Sequence, residues 1–366
     1  MEIPFFNYPR LYQQRKKEYQ TTLNDVLSRG AYIMQKDLID FEDSLSNYLD
    51  VKNVIGVADG TMALLTSLMA SGIGEGDEVI VPSHTFIASA AAIHHVGATP
   101  ILADCGSDHL LNIDSVIERY TENTRAIMPV QLNGRVCEMD KIMDFARTKN
   151  LKVIEDSCQA VGAKFKGKFA GTFGDAGTCS FFPAKTLGCF GDGGAVLTND
   201  NDLADRVRTL RDHGRDPIDG KVKVFGFNSR LDNIQAAILN VKLKYYNEDL
   251  NKRRELASIY NDKLKDVSEI KLPPPPEDGD NYDIFQNYEI EANNRHDLRE
   301  YLADAGIGTI LQWGGYMVHQ FEDLKLNSNV PHTEQISNDF MLLPMHHMLT
   351  KEEIHYISDR IISFYK

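Results

Sequence analysis

Several things are scarce in this chain, and each scarcity removes a class of protein. Basic charge is in deficit. Lys and Arg total 39 against 53 Asp and Glu in 366 residues, a formal net charge of −14. A general nucleic-acid or anionic-membrane surface needs a basic footprint, so neither partner is expected; a local basic pocket for a nucleotide diphosphate is still allowed. Cysteines are few and odd in number: Cys105, Cys137, Cys158, Cys179 and Cys189, with no Cys-x-x-Cys pair. This predicts reduced thiols, a cytoplasmic location and no zinc site. Met345-His346-His347 likewise lacks a metal-ligand partner at useful spacing, so no metal is expected. No apolar run approaches the roughly 20 residues that span a bilayer. Met1-Glu2-Ile3-Pro4-Phe5-Phe6 lacks the charged start and long apolar core of a secretory signal. Tryptophan occurs once, at Trp313.

What is present centres on one lysine. Gly177-Thr178-Cys179-Ser180-Phe181-Phe182 is an apolar, β-prone run, and Pro183-Ala184-Lys185 leads from it to a cluster of glycines at 188, 191, 193 and 194. Residues 178–182 read as a short buried strand. Lys185 then stands where the chain leaves the sheet, the usual place for a small-molecule site. A lysine in an apolar pocket loses solvation, deprotonates more easily and becomes a nucleophile toward carbonyls. An ordinary surface lysine is the competing reading. A second apolar run, 151–154, ends in Glu155-Asp156-Ser157-Cys158-Gln159-Ala160. Asp156 at the end of a buried strand can face the ring nitrogen of a pyridine cofactor, or it can cap the next helix. Pyridoxal phosphate needs both a lysine for its aldehyde and such an aspartate.

Strand and helix signals alternate along the chain. Helical periodicity over 8–29 ends at Gly30, and a second helical pattern covers 41–49. Strands are expected at 54–57, 79–82, 99–104 and 126–130, with helices at 62–70, 87–95 and 139–148 between them. The pattern predicts an α/β fold with a mostly parallel, doubly wound sheet. Helices follow at 200–215, 233–246 and 246–265. The proline-rich stretch 272–280 is a connector. Beyond it, a strand at 287–290, a helix at 295–305 and a strand at 308–311 predict a small α+β domain. The expected division is a large domain over 1–250 and a small one over 251–366.

Five motifs occur in one order: Gly60-Thr61-Met62-Ala63-Leu64, Pro82-Ser83-His84-Thr85-Phe86, Glu155-Asp156-Ser157-Cys158-Gln159-Ala160, Ser180-Phe181-Phe182-Pro183-Ala184-Lys185 and Gly226-Phe227-Asn228-Ser229-Arg230-Leu231-Asp232. Together they resemble the DegT/DnrJ-type sugar aminotransferases, a pyridoxal-phosphate-dependent family of the aspartate-aminotransferase fold. The resemblance implies a Schiff base between Lys185 and the cofactor, with Asp156 behind the ring. It implies Gly60, Thr61, Met62 and Ser180 on the phosphate, Phe86 over the ring face and Gln159 toward the ring hydroxyl. It also implies a homodimer in which Asn228 reaches the phosphate of the neighbouring subunit.

The implied reaction moves an amino group from glutamate to a keto-deoxysugar nucleotide, for amino sugars of a surface polysaccharide such as the lipopolysaccharide O-antigen, or of another glycan. Transamination of a cyclitol-like ketone and a non-catalytic pyridoxal-phosphate-binding protein are the alternatives. Dehydrating relatives carry His at the lysine position, and this chain carries Lys185. Three departures stand out. Asp59 replaces the usual Ser or Asn and is excluded from the phosphate ligands. Asn133 stands where an aromatic is usual. Gln312-Trp313-Gly314-Gly315 replaces a His-Tyr-Pro-like sequence, so Trp313 either stacks on substrate or packs between domains.

Overall fold

The computed structural model describes residues 1–277, 279–326 and 328–366. Asp278, inside the expected connector, lies outside the described residues, as does Asn327. Nine strands come first in the chain: β1 (Asn53–Val57), β2 (Glu78–Pro82), β3 (Thr99–Ala103), β4 (Thr124–Ile127), β5 (Lys152–Asp156), β6 (Lys164–Phe165), β7 (Lys168–Phe169), β8 (Ala176–Ser180) and β9 (Gly194–Thr198). Seven of them form one sheet in the order β1–β9–β8–β5–β4–β2–β3. From β8 to β3 every pairing is parallel, and β9 runs antiparallel to both its neighbours. Every residue of β8 and β9 is buried, as in a sheet covered by helices on both faces.

The helices that position the site form for local reasons. Lys16–Arg29 ends at Gly30, whose φ of 62° is left-handed, as the glycine there predicts. Lys36–Leu49 buries Leu38, Phe41, Leu45 and Leu49, a stripe at helical spacing, against the helix Asn233–Leu243. Gly60–Ala70 is apolar on nearly every side because it is enclosed by the sheet and by the helices Ile87–His95 and Asn201–Arg211.

The remaining strands are β10 (Ile270–Lys271), β11 (Asn281–Tyr282), β12 (Tyr288–Ala292) and β13 (Phe340–Leu343). β12 pairs antiparallel with β10 and with β13, and the helices Tyr246–Leu264 and Lys351–Phe364 pack together beside them. Two large apolar clusters result. One surrounds the seven-stranded sheet and includes Tyr246 and Leu250. The other begins at Leu256 in the same helix, runs through β12 and β13, and takes in Ile3 from the start of the chain. No helix among the described residues is long and apolar enough to cross a membrane.

Several expectations change. The helix expected over 8–29 breaks at Arg15 into Tyr8–Gln14 and Lys16–Arg29, and the helix expected over 200–215 ends at Arg211. Residues 308–311 are not a strand; only Ile310 forms a bridge, to Leu342. The segment splits its pairing: Ile307 bridges Ile3, with Gly308 donating to Ile3 O at 2.9 Å, and Ile310 bridges Leu342, so no continuous ladder forms. The strand expected at 178–182 lies at Ala176–Ser180, which puts Lys185 in the loop beyond the strand. The strand expected at 126–130 ends at Ile127, and Val130 only bridges singly to Asp156. β9, the small β6–β7 hairpin and β13 carry no expectation from the sequence.

Candidate active site

Asp156 closes β5, in register with Thr178 of β8. Only 6% of it is exposed. Ser89, on the helix Ile87–His95, donates its hydroxyl to Asp156 Oδ2 at 2.7 Å, and the Cys158 N–H donates to Oδ1 at 3.2 Å. Thr85 Oγ1 lies 2.8 Å from Ser89 Oγ and extends the chain of hydroxyls. A buried carboxylate held from both oxygens has one orientation, set by β5 and by a neighbouring helix.

Lys185 follows a turn in which its own N–H donates to Phe182 O at 2.8 Å. Burial pushes its amine below the ordinary lysine range, and the neighbouring Cys158 and Asp156 pull it only partly back. The expected amine and carboxylate therefore lie close enough to interact, with Cys158 also within reach of the amine. Burial holds the Cys158 thiol well above its usual range, so it is a neutral wall.

The turn before Gly60–Ala70 faces the end of β8. A Cβ on Gly60 would stand 2.9 Å from Ser180 Cβ and 3.0 Å from Cys158 Sγ, so only glycine allows this approach. Gly194 of β9 closes the other side, where a Cβ would meet Asp59 O at 2.3 Å. Asp59 caps the helix by accepting the Met62 N–H at 2.8 Å. The capping role and the exclusion of Asp59 from a phosphate site agree. Met62, however, has its N–H engaged by Asp59. The N–H groups of Gly60 and Thr61, first in the helix, have no carbonyl one turn back to bond. Together with the Ser180 hydroxyl they make a donor cluster at a helix start.

Gln159 sits on the far side of the pocket. Its amide oxygen accepts the Asn133 N–H at 2.9 Å, with Asn287 Nδ2 at 3.4 Å and Gln312 Nε2 at 3.5 Å also directed at it. With the oxygen so occupied, its amide nitrogen is the group left to donate. Asn133 and Trp313 both have left-handed φ, 56° and 55°. A bulky residue in that region carries strain, and strain of this kind gathers at binding sites. Trp313 packs edge-on against His84, ring centroids 5.6 Å apart.

Phe86 precedes Ile87–His95, and its carbonyl accepts the Ser89 N–H at 3.1 Å. The residue is 50% exposed, so its side chain is available to a ligand. Asn228 stands apart. It bridges Asp212 at the stem of an exposed loop and accepts from Arg230 Nη2 at 2.6 Å. Among the described residues it makes no hydrogen bond to Lys185, Asp156, Gly60 or Ser180. That loop carries Phe225 at 99% exposure and Ile218 at 93%. The next residue, Ser229, accepts the Ala58 N–H at 3.3 Å, so the stem begins beside the Gly60 turn.

Sequence reasoning passes over two supports. Ser89 is one, although a serine one turn into the helix after Phe86 is a visible signal. Glu155 is the other. Fully buried, it accepts the N–H groups of Gly171, Phe173 and Gly174 at 2.8, 2.6 and 2.9 Å and Gln131 Nε2 at 2.8 Å.

Comparison with known proteins follows the same geometry. Residues 13–362 match the model of the DegT/DnrJ/EryC1/StrS aminotransferase family. A pleiotropic regulatory protein of Geobacillus stearothermophilus is 36% identical, covering 100% of this chain and 99% of that protein. A dTDP-3-amino-3,6-dideoxy-α-D-galactopyranose transaminase of Aneurinibacillus thermoaerophilus is 38% identical, covering 98% of each. The crystal structure of ntda from Bacillus subtilis with bound cofactor PMP superposes with a TM-score of 0.91 at 31% identity, covering 99% of this chain and 85% of that one.

Proposed function

The chain belongs to the DegT/DnrJ/EryC1/StrS aminotransferase family and uses that family's cofactor, pyridoxal 5′-phosphate; from this premise we propose that it transfers an amino group from glutamate to a keto-deoxysugar nucleotide. The single observation that carries the chemistry is the half-buried, desolvated Lys185 amine, which interacts electrostatically with the doubly held Asp156 carboxylate. The pocket suits the cofactor. A desolvated amine, a fixed carboxylate and a glycine-lined donor cluster at a helix start match an aldehyde, a ring nitrogen and a phosphate. When bound, the cofactor supplies the aldehyde and the electron-accepting ring.

Each residue then has a task. Lys185 Nζ would hold the cofactor's aldehyde and, as a free amine, would carry a proton to and from the substrate carbon, which its lowered basicity favours. Asp156 keeps the ring nitrogen protonated. Gly60, Thr61, Met62 and Ser180 surround the phosphate, with Gly60 N–H, Thr61 N–H and the Ser180 hydroxyl as the donors. Gln159 Nε2 donates to the ring hydroxyl, and Phe86 covers the ring's open face. Asn228 completes the phosphate site of a partner subunit in a homodimer, supported by its position at the stem of a charged, exposed loop that also presents Ile218, Val222, Val224 and Phe225 to solvent. The division into domains 1–250 and 251–366 belongs to the same proposal, supported by the change of apolar cluster within Tyr246–Leu264.

The sugar-nucleotide substrate is supported by the transaminase relative, and the working setting is a cytoplasmic route to an amino sugar for a surface glycan. A second reading, cofactor binding without turnover, is favoured by the relative with a regulatory name. One experiment separates them. The purified protein is assayed with glutamate and a panel of dTDP-, UDP- and GDP-linked keto sugars, with products read by mass. Amino-sugar product from wild type and none from Lys185→Ala supports the transaminase; product from both, or from neither, defeats it.

A further inference from the structure

Behind Trp313, away from Lys185, three side chains distant in sequence converge. His84 precedes the helix Ile87–His95, His109 lies in the loop after β3, and Glu289 is on β12. His84 is 1% exposed and Glu289 5%. One ligand atom from each of the three lies within 4.8 Å of the others. His84 Nδ1 faces the His109 carbonyl at 3.2 Å. A carbonyl only accepts, so Nδ1 carries the proton and His84 Nε2 presents a lone pair. That lone pair points at Glu289 Oε2, another acceptor, 3.8 Å away. Among the described residues neither atom has a partner at hydrogen-bond geometry, although the Asn133 side chain lies near the Glu289 carboxylate.

The distance decides what belongs between them. A direct hydrogen bond needs about 2.7–3.2 Å, so 3.8 Å is too long. A water about 2.8 Å from both atoms would subtend only about 85°, far from its tetrahedral preference. A cation about 2.1 Å from nitrogen and about 2.0 Å from oxygen spans up to about 4.1 Å, so the pair admits one without either side chain moving. His109 supplies the third ligand through Nδ1, now donating to Glu289 Oε1 at 2.5 Å. Its other nitrogen, Nε2, donates to Glu291 Oε1 at 2.8 Å, the carboxylate–imidazole support that orients metal-binding histidines.

We propose that His84 Nε2, His109 Nδ1 and the Glu289 carboxylate bind one divalent first-row transition ion, of which zinc is the type, with Glu291 orienting His109. Two imidazoles and a carboxylate suit that class of ion and leave a fourth position open. The ion replaces the proton on His109 Nδ1, which is released on binding. It joins β12 to two loops of the seven-stranded sheet beneath Trp313, and so fixes the wall that faces Gln159.

The test uses the full-length, cofactor-loaded protein, freed of metal by chelation, with zinc chloride alone as the probe. Calorimetry is expected to show one zinc per chain. His109→Gln and Glu289→Gln should each weaken binding at least about 100-fold, and Glu291→Gln about 10- to 100-fold at unchanged stoichiometry. Circular dichroism establishes that each variant is folded. Zinc-edge X-ray absorption on wild type needs no variant, and is expected to show two imidazoles on the ion. A folded wild type that binds no stoichiometric zinc overturns the site. So does undiminished binding in folded His109→Gln and Glu289→Gln, or an ion surrounded by oxygen alone.

Discussion

The Ser89 hydroxyl donates to Oδ2 of Asp156 at 2.7 Å, across the gap between a helix and the end of β5. Asp156 must hold one orientation to meet a ring nitrogen, and Ser89 is the side chain that fixes it. A hydrogen bond to a charged group is worth about 1.5–3 kcal/mol. Ser89→Ala is therefore expected to weaken binding of pyridoxal phosphate by roughly 10- to 100-fold, at about 1.4 kcal/mol per decade. Titration of the apoprotein, followed by visible absorbance, measures this. An unchanged dissociation constant would mean that β5 alone orients the carboxylate.

The lowered basicity of Lys185 has a consequence for stability. Its amine titrates at 10.5 when free and lower in the fold, with burial the largest cause. Below the folded pKa the protein carries the full cost of a buried ammonium. That cost shrinks as pH rises through the window up to 10.5 and is absent above it. Apoprotein carrying Lys185→Met should therefore melt higher than wild-type apoprotein at neutral pH, by a few degrees, since about 1 kcal/mol moves Tm by about 2–4 °C in chains of this order. The gap should close as the buffer approaches pH 10. Differential scanning calorimetry across pH reads both trends; a gap that widens with pH contradicts the burial argument.

What was legible in the sequence was what is local. The helix Ile87–His95, the Gly60 turn, the Gly30 stop and the Asp156 strand each announce themselves within ten or so residues, through period, cap or punctuation. β9 was hidden because its glycine-rich approach reads as loop, although Gly194 is there to let the sheet close on Asp59. Residues 308–311 look like a strand and fail to become one because the segment bridges once to Ile3 through Ile307 and once to Leu342 through Ile310, with no continuous partner. The His84–His109–Glu289 convergence has no spacing to detect, since three separate elements deliver it. Left-handed Trp313 is likewise set by tertiary packing, against the preference of a bulky side chain, whereas asparagine takes the conformation of Asn133 readily.

Glu155 is the strand residue whose loss should cost most. Burial pushes its carboxyl up, while three backbone N–H groups and Gln131 hold it down. Glu155→Ala leaves four donors without that acceptor, the Gly171 N–H and Gln131 Nε2 buried and the Phe173 and Gly174 N–H groups half-buried. Each such orphan costs about 1–3 kcal/mol, so a total of at least about 3 kcal/mol is expected. Chemical denaturation should show the midpoint falling, and Glu155→Gln, which keeps one acceptor oxygen, should recover part of it. A loss under about 1 kcal/mol for Glu155→Ala would show that water enters and satisfies the donors.

Whether Asn228 works in its own chain or in a neighbour's is decided by mixing two dead variants. Lys185→Ala removes the amine, and Asn228→Ala removes the loop's amide. If each site takes Lys185 from one subunit and Asn228 from the other, a heterodimer of the two variants contains one intact site and one doubly altered site. Random reassociation of equal amounts makes about half the dimers mixed, so about a quarter of wild-type activity should return. If Asn228 serves the Lys185 of its own chain, no mixed dimer contains an intact site and activity stays at the sum of the two variants. The exposed Phe225 and Ile218 give the control. Phe225→Asp on the same loop should weaken association in analytical ultracentrifugation and lower wild-type activity at dilute protein concentration. Recovery in the mixture together with dilution-sensitive activity establishes a site built across two copies; absence of recovery returns Asn228 to its own subunit.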